Sequence, residues 1–192
     1  MSLLTTSAVR ARAQRIVNSS GKQASLLLEN CMEKQASAGS HTIFLSHAFS
    51  DRNLILGVAL TLEDLGYSVY LDWRDDPTLD RQNVNAVTAA KLRERMRNAQ
   101  CLFYATTENA SSSRWMPWEL GFKDGQNNRT AILPIKDTVP TDFRGQEYLG
   151  IYPYVTQEQN TRGEEKLWVR RSSAYYVVFE EWLNGTEPHD RH

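Results

Sequence analysis

The chain has 192 residues, 41% hydrophobic and 23% charged, with a formal net charge of -1. That length suits one domain with a short extension, and a core of that size needs no staples. The even charge balance excludes a strongly basic nucleic-acid or anionic-membrane surface, and no apolar run reaches the ~18 residues of a membrane span.

Residues 1–38 carry no proline and no aromatic residue. Ala8 to Arg15 and Lys22 to Lys34 are rich in helix formers, and Ser19-Ser20-Gly21 breaks them into two pieces. Leu26, Leu27, Cys31 and Met32 make an apolar stripe at helical spacing. Such a stripe packs on its own domain or serves as a self-association arm, and both readings stand. Ala36 to Ser40 is a small-residue linker. The expected division is an N-terminal helical arm (1–38), a domain (39–186) and a C-terminal tail (187–192). No signal-peptide pattern opens the chain, so a soluble cytoplasmic protein is expected.

From His41 strands and helices alternate. Thr42 to Ser46 reads as a buried strand. Ser50 caps a helix carrying Leu54, Ile55, Val58, Leu62 and Leu65, and Gly66 stops it. Tyr67 to Trp73 is the second strand, with Val69, Leu71 and Trp73 on one face and Tyr70 and Asp72 on the other. Arg74 to Gln82 is a polar loop. A helix from about Val84 to Asn98 presents Lys91, Arg93, Glu94, Arg95 and Arg97 as a solvated face. Cys101 to Thr106 is the third strand; its cysteine reads as a buried thiol, and neither it nor Cys31 has metal-ligand spacing. Thr130 to Ile135 is a fourth strand and Leu149 to Val155 a weaker fifth. Gln157 to Arg171 is polar and has no assigned element. Ser172 to Asn184 reads as a closing helix stopped by Gly185.

The stretch SSSRWMPWELGFKDG, Ser111 to Gly125, organises the rest. Its serines are N-cap candidates and Pro117 fits only a first helical turn, so a helix starts near Ser113 to Pro117 and ends at Gly125. Glu119 then lies in or near the first turn, four residues after Trp115. Two readings of this pair stand: a site carboxylate beside an indole, or a dipole-complementing glutamate beside core tryptophans. Trp118 and Phe122 read as core. Parallel α/β sheets take ligands outside the carboxyl ends of their strands. The segments after the first three strands should therefore converge, bringing Ser46, His47, Phe49, Asp72, Trp73, Trp115 and Glu119 to one cleft.

Elimination narrows the chemistry. The chain has no Gly-rich phosphate loop of either standard pattern, which argues against phosphoryl transfer and a Rossmann hydride site. His41 and His47 lie near the first strand and His189 and His192 near the end, so no metal-ligand cluster is expected. Ser46 and His47 are adjacent on a strand, point to opposite faces, and make a poor triad. Carboxylate chemistry at a glycosidic carbon remains: one anionic glutamate can oppose the positive charge that grows on a ribose. A pyridinium leaving group departs neutral and needs no general acid, so a single glutamate suffices for a nicotinamide dinucleotide.

TIFLSHAFSD, YSVYLDW and SRWMPWELGFKDG, in that order and spacing, resemble the bacterial form of the Toll/interleukin-1 receptor (TIR) family. The resemblance covers about His41 to Val155. It implies a flavodoxin-like α/β domain, a parallel sheet of about five strands with helices on both faces. The loop from Asp72 resembles the family's BB loop, and Trp115 with Glu119 its W-x-x-x-E element, which makes Glu119 the catalytic group. Trp115, Asp72, Ser46, His47, Phe49 and Trp73 become candidate substrate contacts. Pro117, inside the third motif, and His47-Ala48, where members often carry a basic group, depart from the pattern. The resemblance implies NAD+ as substrate with no cofactor or metal, hydrolysis or cyclisation of ADP-ribose as an antiphage signal, and a product-sensing effector. It also implies a homo-oligomer built through TIR–TIR contacts, which the compositionally distinct arm is expected to support; the polar Asp72–Gln82 loop, with Asp75, Asp76 and Pro77, is expected to be mobile. Two other readings stand beside it: a non-catalytic TIR scaffold, and a nucleoside 2-deoxyribosyltransferase.

Overall fold

The computed structural model describes residues 4–18, 40–79, 85–136 and 147–191. Among the described residues eight strands form one sheet in the order β2-β1-β3-β4-β5-β6-β7-β8. They are β1 (His41–Ser46), β2 (Val69–Tyr70), β3 (Ala99–Thr106), β4 (Thr130–Pro134), β5 (Tyr154–Gln159), β6 (Glu165–Arg170), β7 (Tyr175–Val178) and β8 (His189–Asp190). The helices are α1 (Thr6–Asn18), α2 (Arg52–Asp64), α3 (Asp72–Asp75), α4 (Ala86–Asn98), α5 (Met116–Asn127) and α6 (Phe179–Leu183). Strands β1 to β5 pair in parallel, as the alternating pattern predicts.

Strand alternation divides the core into two layers. Ile43, Leu45, Val69, Leu71, Cys101 and Phe103 face α2 and α6, packing with Ile55, Val58 and Trp182. Phe44, Tyr70, Leu102, Tyr104 and Ile132 face α4 and α5, packing with Leu92, Met96, Met116 and Leu120. Burial pushes the Cys101 thiol up, as suits an inert core cysteine. Cys31 and the expected helix Lys22 to Lys34 lie outside the described residues.

The second strand, expected over Tyr67 to Trp73, shortens to Val69–Tyr70 because the chain turns helical at Asp72, and four later elements also differ from the sequence reading. The fifth strand begins at Tyr154, because Glu147–Ile151 is a 3-10 turn. Gln157 to Arg171 forms the β5–β6 hairpin: Asn160 Oδ1 accepts from the backbone N–H of Arg162 and Glu164, and Gly163 supplies a φ of 78°. The expected closing helix is strand β7 followed by the five-residue α6, since Tyr175 to Val178 is an aromatic and β-branched run. Residues 189–190 of the expected tail pair with β7. The sheet therefore gains three antiparallel strands beyond its parallel five.

The N-terminal stretch packs on the domain. Val9 and Leu4 are buried, and Leu4 bridges Ile135 beside β4. Arg12 grips Asp64 with two hydrogen bonds of 2.6 and 2.9 Å. At Gly57 of α2 the backbone carbonyl of Val9 comes so close that a Cβ would lie 2.0 Å from it. Thr6–Asn18 thus packs on its own domain, while the stripe Leu26, Leu27, Cys31 and Met32, on which the packed and self-association readings rest, lies outside the described residues.

Candidate active site

Helix α5 follows β3 through a short 3-10 turn, Ala110–Ser112. Ser113 Oγ accepts from Met116 N at 3.3 Å, Pro117 lies in the first turn, and Glu119 is in that turn as well. The helix runs past Gly125 to Asn127, and Asn128 takes the left-handed conformation (φ 55°) that ends it. The carboxylate is set under the helix against the sheet, and Glu119 is 0% exposed. Ser46, at the end of β1, donates its hydroxyl to Glu119 Oε2 at 2.6 Å. Tyr104 is opposite Ser46 in register on β3 and shares its face. Burial pushes the Tyr104 phenol up to about 12, with further contributions from Tyr148, which is hydrogen-bonded to it, and from the Glu119 charge.

Trp115 is buried at the N-cap position, and its carbonyl accepts from Glu119 N at 2.9 Å. Its ring meets Trp118 edge-on at 5.5 Å, and Trp118 stacks on Phe122 at 6.0 Å. Trp118 and Phe122, expected as core, are half-buried and pack against the core layer from outside, with the Arg93 and Arg97 guanidinium groups 5.8 and 5.5 Å from their respective ring centres. The face of α4 expected to be solvated therefore interleaves with α5 through cation–π contacts.

His47 turns away from Glu119, as strand alternation requires. Its Nε2 is 3.1 Å from Trp73 Nε1 and its Nδ1 is 2.8 Å from Leu45 O. An indole N–H only donates, so Nε2 accepts and Nδ1 carries the proton. In that tautomer the 3.4 Å approach of Asp72 Oδ1 to Nε2 is a contact without a shared proton. His47, Asp72 and Trp73 thus tie the segments after β1 and β2 together. Phe49 is 48% exposed, with the Arg52 guanidinium 5.4 Å from its ring centre. Of the seven candidates, Ser46, Trp115 and Glu119 come together. Asp51, at the N-cap position of α2, accepts from Thr107 Oγ1 and from Asn109 Nδ2, which clamps the segment after β3 to the start of α2.

The loop from Asp72 is anchored rather than loose through Leu79, because Asp72–Asp75 is a helical turn. Arg74 is buried, paired with Glu63 at 2.8 Å and Asp75 at 2.9 Å. Asp76 accepts from Arg95 and from the Tyr70 hydroxyl. Burial pushes the Asp76 carboxyl up, but these bonds outweigh it and hold it below the ordinary carboxylate range. Residues 80–82 of that loop lie outside the described residues.

The sequence is matched by the TIR domain family over residues 43–167. The chain belongs to the TIR family. This TIR domain is 44% identical over 167 residues, 86% of each chain, to a Bacillus cereus (strain MSX-D12) protein named "Probable 3' cyclic ADP-D-ribose synthase ThsB'". A Cytobacillus dafuensis protein with the provisional name cyclic ADP-D-ribose synthase TIR2 is 28% identical over 83 residues. That match covers 43% of this TIR domain and 22% of the relative. Among the described residues no group of three or more His, Cys, Asp or Glu side chains is placed to hold a metal, and no helix is long and apolar enough to cross a membrane.

Tyr104, Tyr148 and Lys123 were not among the sequence candidates. Signals for two of them were present: Tyr104 alternates with Leu102 on β3, and Lys123 is one helical turn beyond Glu119. Lys123 is fully buried and donates to Met96 O at 2.8 Å and Ala99 O at 2.5 Å, pinning α5 to the end of α4. Burial pulls its ammonium down to about 8, against a smaller raising contribution from Cys101. The unfolded value is about 10.4. Between these values the unfolded chain binds more protons, so this group's contribution to stability rises with pH from about 8 to 10.4, and its burial cost is fully present below 8. The stability difference between wild type and Lys123→Met is expected to shift in favour of wild type by on the order of 3 kcal/mol across that window. Urea titrations of both proteins from pH 7 to 10.5 check this; parallel curves would refute it.

Proposed function

We propose that this TIR domain cleaves the nicotinamide–ribose bond of NAD+ and closes the ADP-ribose product into a ring. The observation that carries the reading is the Glu119 carboxylate, set in the first turn of α5 and oriented by Ser46. The synthase name of the 44% identical relative supports it. As the C–N bond breaks, its electron pair leaves with neutral nicotinamide and positive charge grows on the ribose carbon. Glu119 opposes that charge, favoured as an anion by the helix N-terminus. Ser46 fixes the carboxylate's direction, and Trp115 walls the site. A hydroxyl of the distal ribose then forms the new C–O bond and loses its proton; water attacking instead gives linear ADP-ribose. NAD+ is consumed as substrate, and the reaction needs no cofactor or metal.

Chromatography of NAD+ incubated with the purified chain tests the reading. Nicotinamide with cyclic ADP-ribose supports it. Unchanged NAD+ favours a scaffold without activity, and turnover of a free nucleoside without NAD+ loss favours a deoxyribosyltransferase. We further propose that the domain acts in the cytoplasm as an assembly of copies whose product signals to an effector in antiphage defence. The full burial of Glu119 in the single chain supports a requirement for assembly. Turnover per chain is then expected to rise with protein concentration; a rate strictly proportional to concentration, from nanomolar to tens of micromolar, would argue for a self-sufficient monomer.

A further inference from the structure

The hydroxyls at the carboxyl edge of β1 and β3 are engaged, with one exception. Ser46 donates to Glu119, Tyr104 is bonded to Tyr148, and Thr107 donates to Asp51. Thr106 Oγ1 is buried and, among the described residues, has no hydrogen-bond partner. Its neighbour in register on β4 is Pro134, which has no N–H to offer. Leu102 and Tyr104 point into the layer that holds α5, and Thr106 continues their alternation. It therefore stands ~6–7 Å beyond the Ser46–Tyr104 row, toward the edge where parallel sheets take ligands.

A buried hydroxyl without a partner is a net cost to the fold, and such groups call for a use. We infer that Thr106 is a substrate-binding residue whose hydroxyl bonds the nicotinamide-riboside half of NAD+. This rests on the NAD+ reading above. Glu119 must face the ribose carbon whose bond breaks, and Thr106 is on the same layer, one pair step away. A threonine hydroxyl both donates and accepts, which suits a ribose hydroxyl or the carboxamide better than an anionic pyrophosphate. Ser46 would have to release Glu119 to bind substrate, whereas Thr106 gains a partner and gives up none.

Thr106→Val removes the hydroxyl and nearly keeps the shape. It is expected to melt at or above wild type, because an unpartnered polar group is gone. At the same time kcat/KM for NAD+ should fall roughly three- to tenfold, the size of one neutral hydrogen bond. Thr106→Ser should recover most of that loss. Inhibition by free nicotinamide locates the contact: a weaker inhibition constant in Thr106→Val points to the carboxamide, an unchanged one to the ribose. Turnover of Thr106→Val within twofold of wild type would overturn the inference. So would a lower melting temperature, or failure to fold, since the hydroxyl would then be structural. NAD+ affinity by calorimetry in a Glu119→Gln background reads the same contact without turnover. A wild-type chain that binds NAD+ more tightly than its Thr106→Val form yet releases no nicotinamide would sink the reaction and leave this contact standing.

Discussion

Glu119→Gln is expected to lower NAD+ turnover by about a hundred- to a thousandfold, roughly 3–4 kcal/mol of transition-state stabilisation. The substitution keeps the volume of the side chain and an oxygen that accepts from Ser46. It removes the charge that opposes the growing cation. The sequence suggests a near-surface glutamate worth only its helix-dipole contribution, but the structure buries it fully. Its effect on stability is therefore a balance of larger quantities. Relief from burying a charge favours the variant, while loss of the dipole and of the charge-assisted Ser46 bond disfavours it. The two oppose each other, and Tm is expected to stay within a few degrees of wild type. Glu119→Ala breaks that balance, leaving a cavity and the Ser46 hydroxyl buried without a partner, at a cost of about 2–4 kcal/mol. Turnover and a melting curve on one Glu119→Gln sample decide the matter. Undiminished turnover removes the carboxylate from the mechanism. Lost turnover with a Tm near wild type assigns it a chemical role rather than a structural one.

The parallel half of the fold was legible because its signals are local. Ile43, Phe44 and Leu45 read as a buried strand, Leu54 to Leu65 as an amphipathic helix, and Gly66 as its stop. The Trp115–Glu119 spacing likewise located the first turn of α5. The antiparallel half was less legible for a physical reason. In β5 and β6 burial fades toward the hairpin, where residues 157–166 are half-buried or exposed, so Gln157 to Arg171 reads as polar, and the Asn160–Gly163 turn is its one strong mark. At the site, sequence distance hid the partners. Ser46 and Glu119 are 73 residues apart, and nothing local says that the serine's face of β1 meets that helix. His47 and Trp73 were legible as neighbours of strand ends but not as partners of one another, since a histidine accepting from an indole needs both loops in place. The depth of Glu119 was equally hidden: a first-turn glutamate is usually solvated, and only the sheet beneath shows why this one is not.

Gly57→Ala is expected to destabilise the full chain, against the usual sign. Inside an exposed helix alanine is better than glycine by about 1 kcal/mol. Here the added methyl would lie 2.0 Å from the Val9 carbonyl oxygen and 2.8 Å from its carbon, both backbone atoms that cannot swing aside. Helix α1 must move away, and with it the burial of Val9 and Leu4 and the Arg12–Asp64 pair. Overpacking of this kind costs about 1–3 kcal/mol, and loss of two aliphatic side chains sets a ceiling of roughly 3–6 kcal/mol. A net loss of about 2–3 kcal/mol corresponds to a fall in Tm of roughly 4–12 °C for a chain of this size. Removal of residues 1–18 should destabilise by at least as much. In that truncated chain the obstacle is absent, and Gly57→Ala should become stabilising by up to about 1 kcal/mol. The reversal of sign between the two backgrounds is the signature of a helix docked through glycine, and a free self-association arm gives no such reversal. Glu119 is on the opposite layer of the sheet, so turnover of whatever remains folded should be preserved in all four proteins. Melting curves on the four members of this cycle read the coupling directly, and stabilisation by Gly57→Ala in the full chain would show that α1 does not dock there in solution.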